Sequence, residues 1–115
     1  MSNEPRRYRN ISLAVTNSSQ DAYTCPANTT TIIKEIIVTN IDGTNNADIT
    51  LDLHDGSEGS AKSFVSTKQV NADDLFRMDT ANIYLEASDK IQAVASATGD
   101  LNLFLFLEEY YDPSR

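Results

Sequence analysis

Apolar and polar residues alternate with a period of two along most of the chain, the pattern of strands rather than helices. Ile11, Leu13 and Val15 alternate with Ser12, Ala14 and Thr16, and Asn17-Ser18-Ser19-Gln20-Asp21 ends the run. Ala22-Tyr23-Thr24-Cys25 leads into Pro26, which lacks a backbone donor and suits a strand end or edge. Thr29 to Asn40 is the strongest strand signal, with five β-branched aliphatics and four threonines. Its apolar residues fall on both parities, which predicts either a central strand or a bulge that switches faces near Lys34-Glu35.

Further along, Ile49, Leu51 and Leu53 alternate with Asp48, Thr50, Asp52 and His54, giving one dry and one wet face. Ala61 to Val70, Leu75 to Met78 and Ile83 to Leu85 read as weaker or shorter strands. Ile91 to Ala97 is a strand of small residues, and Leu101 to Glu108 closes the pattern. Turn-forming residues at 41–46, 55–60 and 79–82 punctuate these runs. The expectation is one all-β domain, an antiparallel β-sandwich or jelly roll of about eight strands. Its body is placed at 11–108, with a basic amino-terminal arm at 1–10 and a short acidic tail at 109–115.

Composition narrows the chemistry. A chain of 115 residues buries enough surface to fold without metal or disulfide. The single cysteine, Cys25, excludes an internal disulfide and a cysteine-based zinc cluster, and the single histidine, His54, excludes paired-histidine metal sites. A net charge of −8 argues against nucleic-acid binding. The basic start has no apolar stretch behind it, and the longest apolar run, Leu103 to Leu107, is far short of a membrane span. A soluble protein made in a reducing compartment is expected, with neither membrane nor nucleic acid as partner.

Candidate chemistry is sparse. Alternation sets Asp48, Asp52 and His54 on one side of a strand, but catalytic zinc commonly takes more than one histidine, and a solvated face explains them. The acidic segments 42–48 and 52–58 lack the spacing of a calcium loop and match what tight turns require. Cys25 has no adjacent base to activate it and reads as a small buried hydrophobe. With only four glycines, phosphate-cradling loops are essentially excluded. Neither catalytic residues, metal ligands nor a cofactor are expected.

Two features point instead to a partner. In the last strand Leu101, Leu103, Leu105 and Leu107 form a natural core parity, while the other parity is polar at Asn102 and Glu108 and aromatic at Phe104 and Phe106. Aromatic anchors ringed by polar groups are how interface cores are built, and a strand covered on both sides within the domain would show the same pattern. The second feature is the arm. Three arginines less Glu4 give residues 1–10 a charge of +2, whereas six bases against sixteen acids give residues 11–115 a charge of −10. Arg6, Arg7 and Arg9 around Tyr8 are thus expected to be unpaired in the free protein and to dock on an acidic partner surface.

The succession Tyr23-Thr24-Cys25-Pro26-Ala27, Ile36-Ile37-Val38-Thr39-Asn40, Ala47-Asp48-Ile49-Thr50-Leu51 and Leu85-Glu86-Ala87-Ser88-Asp89-Lys90-Ile91 resembles a group of small virion proteins of tailed bacteriophages. The resemblance covers about residues 20–108 and rests on turn and packing signatures; the spacing across Lys62 to Met78 departs from it, and the arm lies outside. It implies a β-sandwich module without catalytic residues on the virion surface. The leading expectation is a capsid decoration, or cement, protein that bridges subunits of the major capsid protein, self-associated as a homotrimer. The alternatives are a tail or head–tail joining component and a carbohydrate-binding host-attachment module.

Overall fold

The computed structural model describes residues 6–78 and 82–113, and within them there is no helix. Residues 1–5 of the expected arm, 79–81 of the expected turn and 114–115 of the tail lie outside the described residues. Nine strands follow one another: β1 (Arg6–Val15), β2 (Gln20–Thr24), β3 (Thr29–Asn40), β4 (Ala47–Asp55), β5 (Ser60–Val70), β6 (Leu75–Met78), β7 (Ile83–Leu85), β8 (Lys90–Ala95) and β9 (Leu101–Tyr111). They form two antiparallel sheets: one in the order β1-β9-β3-β6, with β7 also paired to β3, and the other in the order β2-β8-β4-β5. The all-β sandwich expected from the alternation is the observed architecture, with nine strands in place of about eight.

β3 is both central and bulged. Its register with β9 shifts between Ile33 and Glu35, leaving Lys34 as the extra residue. Before the shift the odd positions Thr29, Thr31 and Ile33 face the core; after it the even positions Ile36, Val38 and Asn40 do. The bulge lets a strand whose apolar residues change parity keep the same side inward. Opposite it, Leu101, Leu103, Leu105 and Leu107 of β9 are all buried, joined by Ile49, Leu51, Ile91 and Ala93 from the facing sheet.

Two expected boundaries move. Residues 6–10 are not an unpaired arm: they are the first half of β1, in unbroken register from Arg6 opposite Tyr110 to Val15 opposite Leu101. At the other end β9 continues through Glu109 to Tyr111, so residues 109–111 of the expected tail are strand. Composition alone suggested a detached arm because charge marks exposure, but a charged strand at a sheet edge is equally exposed.

The segments 23–26 and 85–91, far apart in sequence, meet in space. The Cys25 N–H donates to the Asp89 carbonyl at 2.8 Å and the Ser88 N–H to the Cys25 carbonyl at 3.0 Å. The Asp89 carboxylate accepts from the backbone N–H of Glu86 at 3.0 Å and of Gly56 at 2.9 Å, pinning two loops. Gly56 approaches so closely that a Cβ there would lie 2.9 Å from the Ser88 carbonyl oxygen. Asp89→Ala leaves two backbone donors without this acceptor and should cost about 1–3 kcal/mol, read as a lower urea midpoint with unchanged slope.

Candidate functional site

The outward face of the five-stranded sheet is apolar at its centre. Register places Ser12, Phe104 and Ile37 in one row across β1, β9 and β3, and Asn10, Phe106 and Glu35 in the next. A third row runs Tyr8, Glu108, Ile32 and Tyr84, with β7 completing it. Phe104, Phe106, Ile32 and Ile37 are half-buried by their flanking neighbours, while Tyr8 (69%) and Tyr84 (65%) stand exposed at either side. A shallow depression of about 340 Å³ opens beside Phe106, lined also by Tyr8, Asn10 and Lys34; the bulge at Lys34 forms its wall. Glu108 lies between the tyrosines, 3.7 Å from Lys34 Nζ and accepting from the Tyr110 hydroxyl at 3.3 Å.

The outward face of the other sheet is of opposite character. Asp21, Gln92 and Asp52 share a row, with Lys90 and His54 in the next. The two carboxylates are satisfied locally: Asp21 accepts from Lys90 Nζ at 3.2 Å and from Gln92 Nε2 at 2.9 Å, and Asp52 accepts from Ser63 Oγ at 2.6 Å. His54 is on this wet face with its Nδ1 buried and without a hydrogen-bond partner among the described residues. One face of the sandwich is built for water and the other is not.

The residues singled out from sequence divide between two sides of β1. Arg6 and Tyr8 lie on the outward apolar face together with Phe104 and Phe106, and the Arg6 guanidinium sits 5.4 Å from the centre of the Tyr8 ring. Arg7 and Arg9 point to the inward side, where Arg7 lies opposite Glu109. Glu109 Oε1 accepts from Arg7 Nη2 at 2.9 Å and Oε2 from Arg9 Nη1 at 3.0 Å. The carboxylate the arginines grip is in their own chain. Sequence reasoning missed Ile32, Ile37 and Tyr84 as members of the apolar face, because Ile32 and Ile37 share it only through the parity change at Lys34.

Glu109 also accepts a hydrogen bond from the Tyr23 hydroxyl, which in turn contacts Thr31 Oγ1 at 2.8 Å; Cys25 Sγ lies 3.3 Å from the same Thr31 oxygen. Burial alone would raise the Glu109 carboxyl, but the bonds from Tyr23, Arg7 and Arg9 outweigh it and hold the group below the ordinary glutamate range. Burial pushes the Tyr23 phenol up, with the adjacent carboxylate adding to the shift, and burial likewise raises the Cys25 thiol. A thiol kept protonated and 2% exposed is a packing group, as expected from sequence. The acidic segments are turns: Asp42 accepts from the Thr44 and Asn45 N–H groups, and Asp55 from the Ser57 N–H and hydroxyl, which lowers both carboxyls. Among the described residues no group of three or more His, Cys, Asp or Glu is placed to hold a metal ion.

Because the folded state depresses Glu109, its stabilisation is complete above about pH 4.5, the ordinary value, and is lost as pH falls through the folded value. The melting temperature should therefore drop on acidification below about pH 4.5. Glu109→Gln should cost about 1–3 kcal/mol at neutral pH, less than a fully buried pair because Arg7 is two-thirds exposed, and should flatten that acid limb. A melting-temperature series from pH 7 to pH 3 on both proteins measures this.

Neither a protein-family model nor a curated protein sequence matches the chain. Solved structures do match it in fold. A chain of the T13 infectious bursal disease virus (IBDV) particle superposes with a TM-score of 0.57 at 10% identity, over 96% of this chain and 32% of that one. A chain of the acid-stable capsid of Helicobacter pylori bacteriophage KHP30 gives 0.52 at 6% identity, over 91% and 86%. A chain of the Bacillus endospore appendages, which form disulfide-linked pili, gives 0.54 at 14% identity, over 92% and 86%. This chain spans about a third of the length of the bursal disease virus chain. The sandwich is thus a β fold of the kind found in viral capsid chains and also in a pilus.

Proposed function

We propose that this protein is a structural component of a bacteriophage virion, without catalytic role, and in its most concrete form a decoration protein that bridges subunits of the major capsid protein. The observation that carries this reading is the apolar outward face around Phe104 and Phe106 on a chain whose opposite face is mostly polar. Aromatic groups half-sunk in a sheet and framed by Tyr8, Tyr84 and charged pairs have the makeup of an interface core with its rim. The capsid fold likeness and the sequence resemblance to phage virion proteins agree with this reading. The capsid surface is then its location, and the major capsid protein its partner.

A second reading, a subunit of a surface fibre, is favoured by the pilus match over 86% of that chain. The two differ in what the purified protein does alone: a fibre subunit polymerises end to end, whereas a decoration protein stays small until capsids are supplied. The experiment replaces Phe104 and Phe106 together with Asp. Phe106 lies beside Glu35, so the new carboxylates meet like charge as well as an apolar contact. The double variant should keep its dichroism and melting profile, and should lose occupancy on particles in image reconstructions. Unchanged occupancy overturns the reading; an unfolded variant returns the two phenylalanines to the core and moves the interface elsewhere.

A further inference from the structure

Four strand edges bound the two sheets, and three of them are guarded. β6 and β7 have only four and three residues, and β2 has five with a register shift between Asp21 and Tyr23. β5 carries Lys62 and Lys68, two register shifts against β4, and Thr67 at a φ of 45°. Short length, lysines and bulges are the devices by which proteins keep an edge from pairing with another chain. β1 is charged only at its start, by Arg6, Arg7 and Arg9, and from Asn10 to Val15 it has none of them. It runs ten residues in unbroken register with β9, its one partner among the described strands, and contains no proline, lysine or positive φ.

The charged end of β1 is already satisfied: Arg7 and Arg9 hold Glu109, and Arg6 lies over Tyr8. What remains is Asn10-Ile11-Ser12-Leu13-Ala14-Val15, uncharged and strictly alternating, with Ser12 and Ala14 exposed. We propose that the β1 edge pairs with the β1 edge of a second copy of this chain, antiparallel about a twofold axis at Ser12, fusing two five-stranded sheets into one of ten. Parallel pairing would stack the two sets of arginines. The antiparallel arrangement sets Arg6 to Arg9 of one copy beside Val15 to Ser18 of the other, which carry no charge.

Parity limits the register to pairs centred on a residue, and Ser12 is the middle of the uncharged run Asn10 to Ala14. Even positions of β1 face outward, so a pair that keeps both apolar faces on the same side must match even with even. Centring on Ser12 does this: Ser12 meets Ser12, Ile11 meets Leu13 and Asn10 meets Ala14. The apolar bands around Phe104 and Phe106 then become continuous across the pair. A twofold contact of this kind is self-complementary and builds even-numbered assemblies, in place of the trimer expected from the resemblance. The pairing does not depend on the virion reading.

Paired strands bring opposite Cα atoms to about 4.5–5.5 Å, within disulfide reach, whereas residues displaced by four positions lie about 13 Å apart. The free full-length protein is therefore tested as Ser12→Cys and Ala14→Cys, with the buried Cys25 retained. On mild oxidation Ser12→Cys should run as a covalent dimer in non-reducing gels, and Ala14→Cys should remain a monomer. Any other pattern of cross-linking, including none, overturns the proposal. Sedimentation of the unaltered protein gives a second measure: a mass of twice 12.7 kDa is expected, falling to one chain in Ser12→Lys, and a monomeric unaltered protein overturns it. No capsid enters either assay, so failure here and failure of the decoration reading are separate results.

Discussion

A strand has a side-chain period of two, so one extra residue turns every later side chain to the opposite face. β3 depends on that constraint twice. Its first half has core residues at odd positions and its second half at even positions, and Lys34 is the residue that reconciles them. Because β3 pairs with β9 on one side and with β6 and β7 on the other, the shift determines which side chains of the whole sheet share a row. Without it, Ile36 and Val38 would point to water while Glu35 was driven toward the core. The depression beside Phe106 is a by-product of the same bulge, since Lys34 stands where the ladder opens. Core and candidate surface thus have one origin.

The second element of the architecture is the closure of the sheet by β1. A strand carrying three arginines in its first four residues gains little from burial, and on its inward side there Arg9 meets the last of the β9 leucines and Arg7 lies opposite Glu109. Glu109 supplies the missing attraction and accepts from the Tyr23 hydroxyl as well, which Thr31 holds in place. The net stabilisation is modest because Arg7 is mostly in water. Its structural effect is larger: a segment that charge alone would leave loose becomes a ten-residue edge strand.

Most of the fold was legible because period-two alternation is written directly in the chain. The strands over 11–15, 29–40, 48–54 and 101–108 needed only that pattern, and the bulge near Lys34 showed itself as a change of parity in the isoleucines. The polar turns were legible for a similar local reason, since Asp42 and Asp55 bond to backbone groups within three residues. The candidate surface was half legible. Phe104 and Phe106 lie on one strand and could be paired by eye, whereas Ile32, Ile37, Tyr8 and Tyr84 come from three other strands whose registers are not local information. The arm was misjudged because its partner, Glu109, is 102 residues away from Arg7.

The sequence by itself determined the strand periodicity, the core parity of strands such as β4 and β9, and the turn chemistry. These are properties of single residues or of neighbours within a few positions, where sterics and local hydrogen bonds decide. Only the tertiary structure decided which strands adjoin, that one outward face is apolar and the other polar, and that Arg7 and Arg9 are held within the chain. Each of those depends on pairing between segments distant in sequence, set by the joint burial of both sheets rather than by any one strand. The short Asp89 and Cys25 segments show the same division: each reads locally as a turn or strand end, and only the folded chain makes them partners.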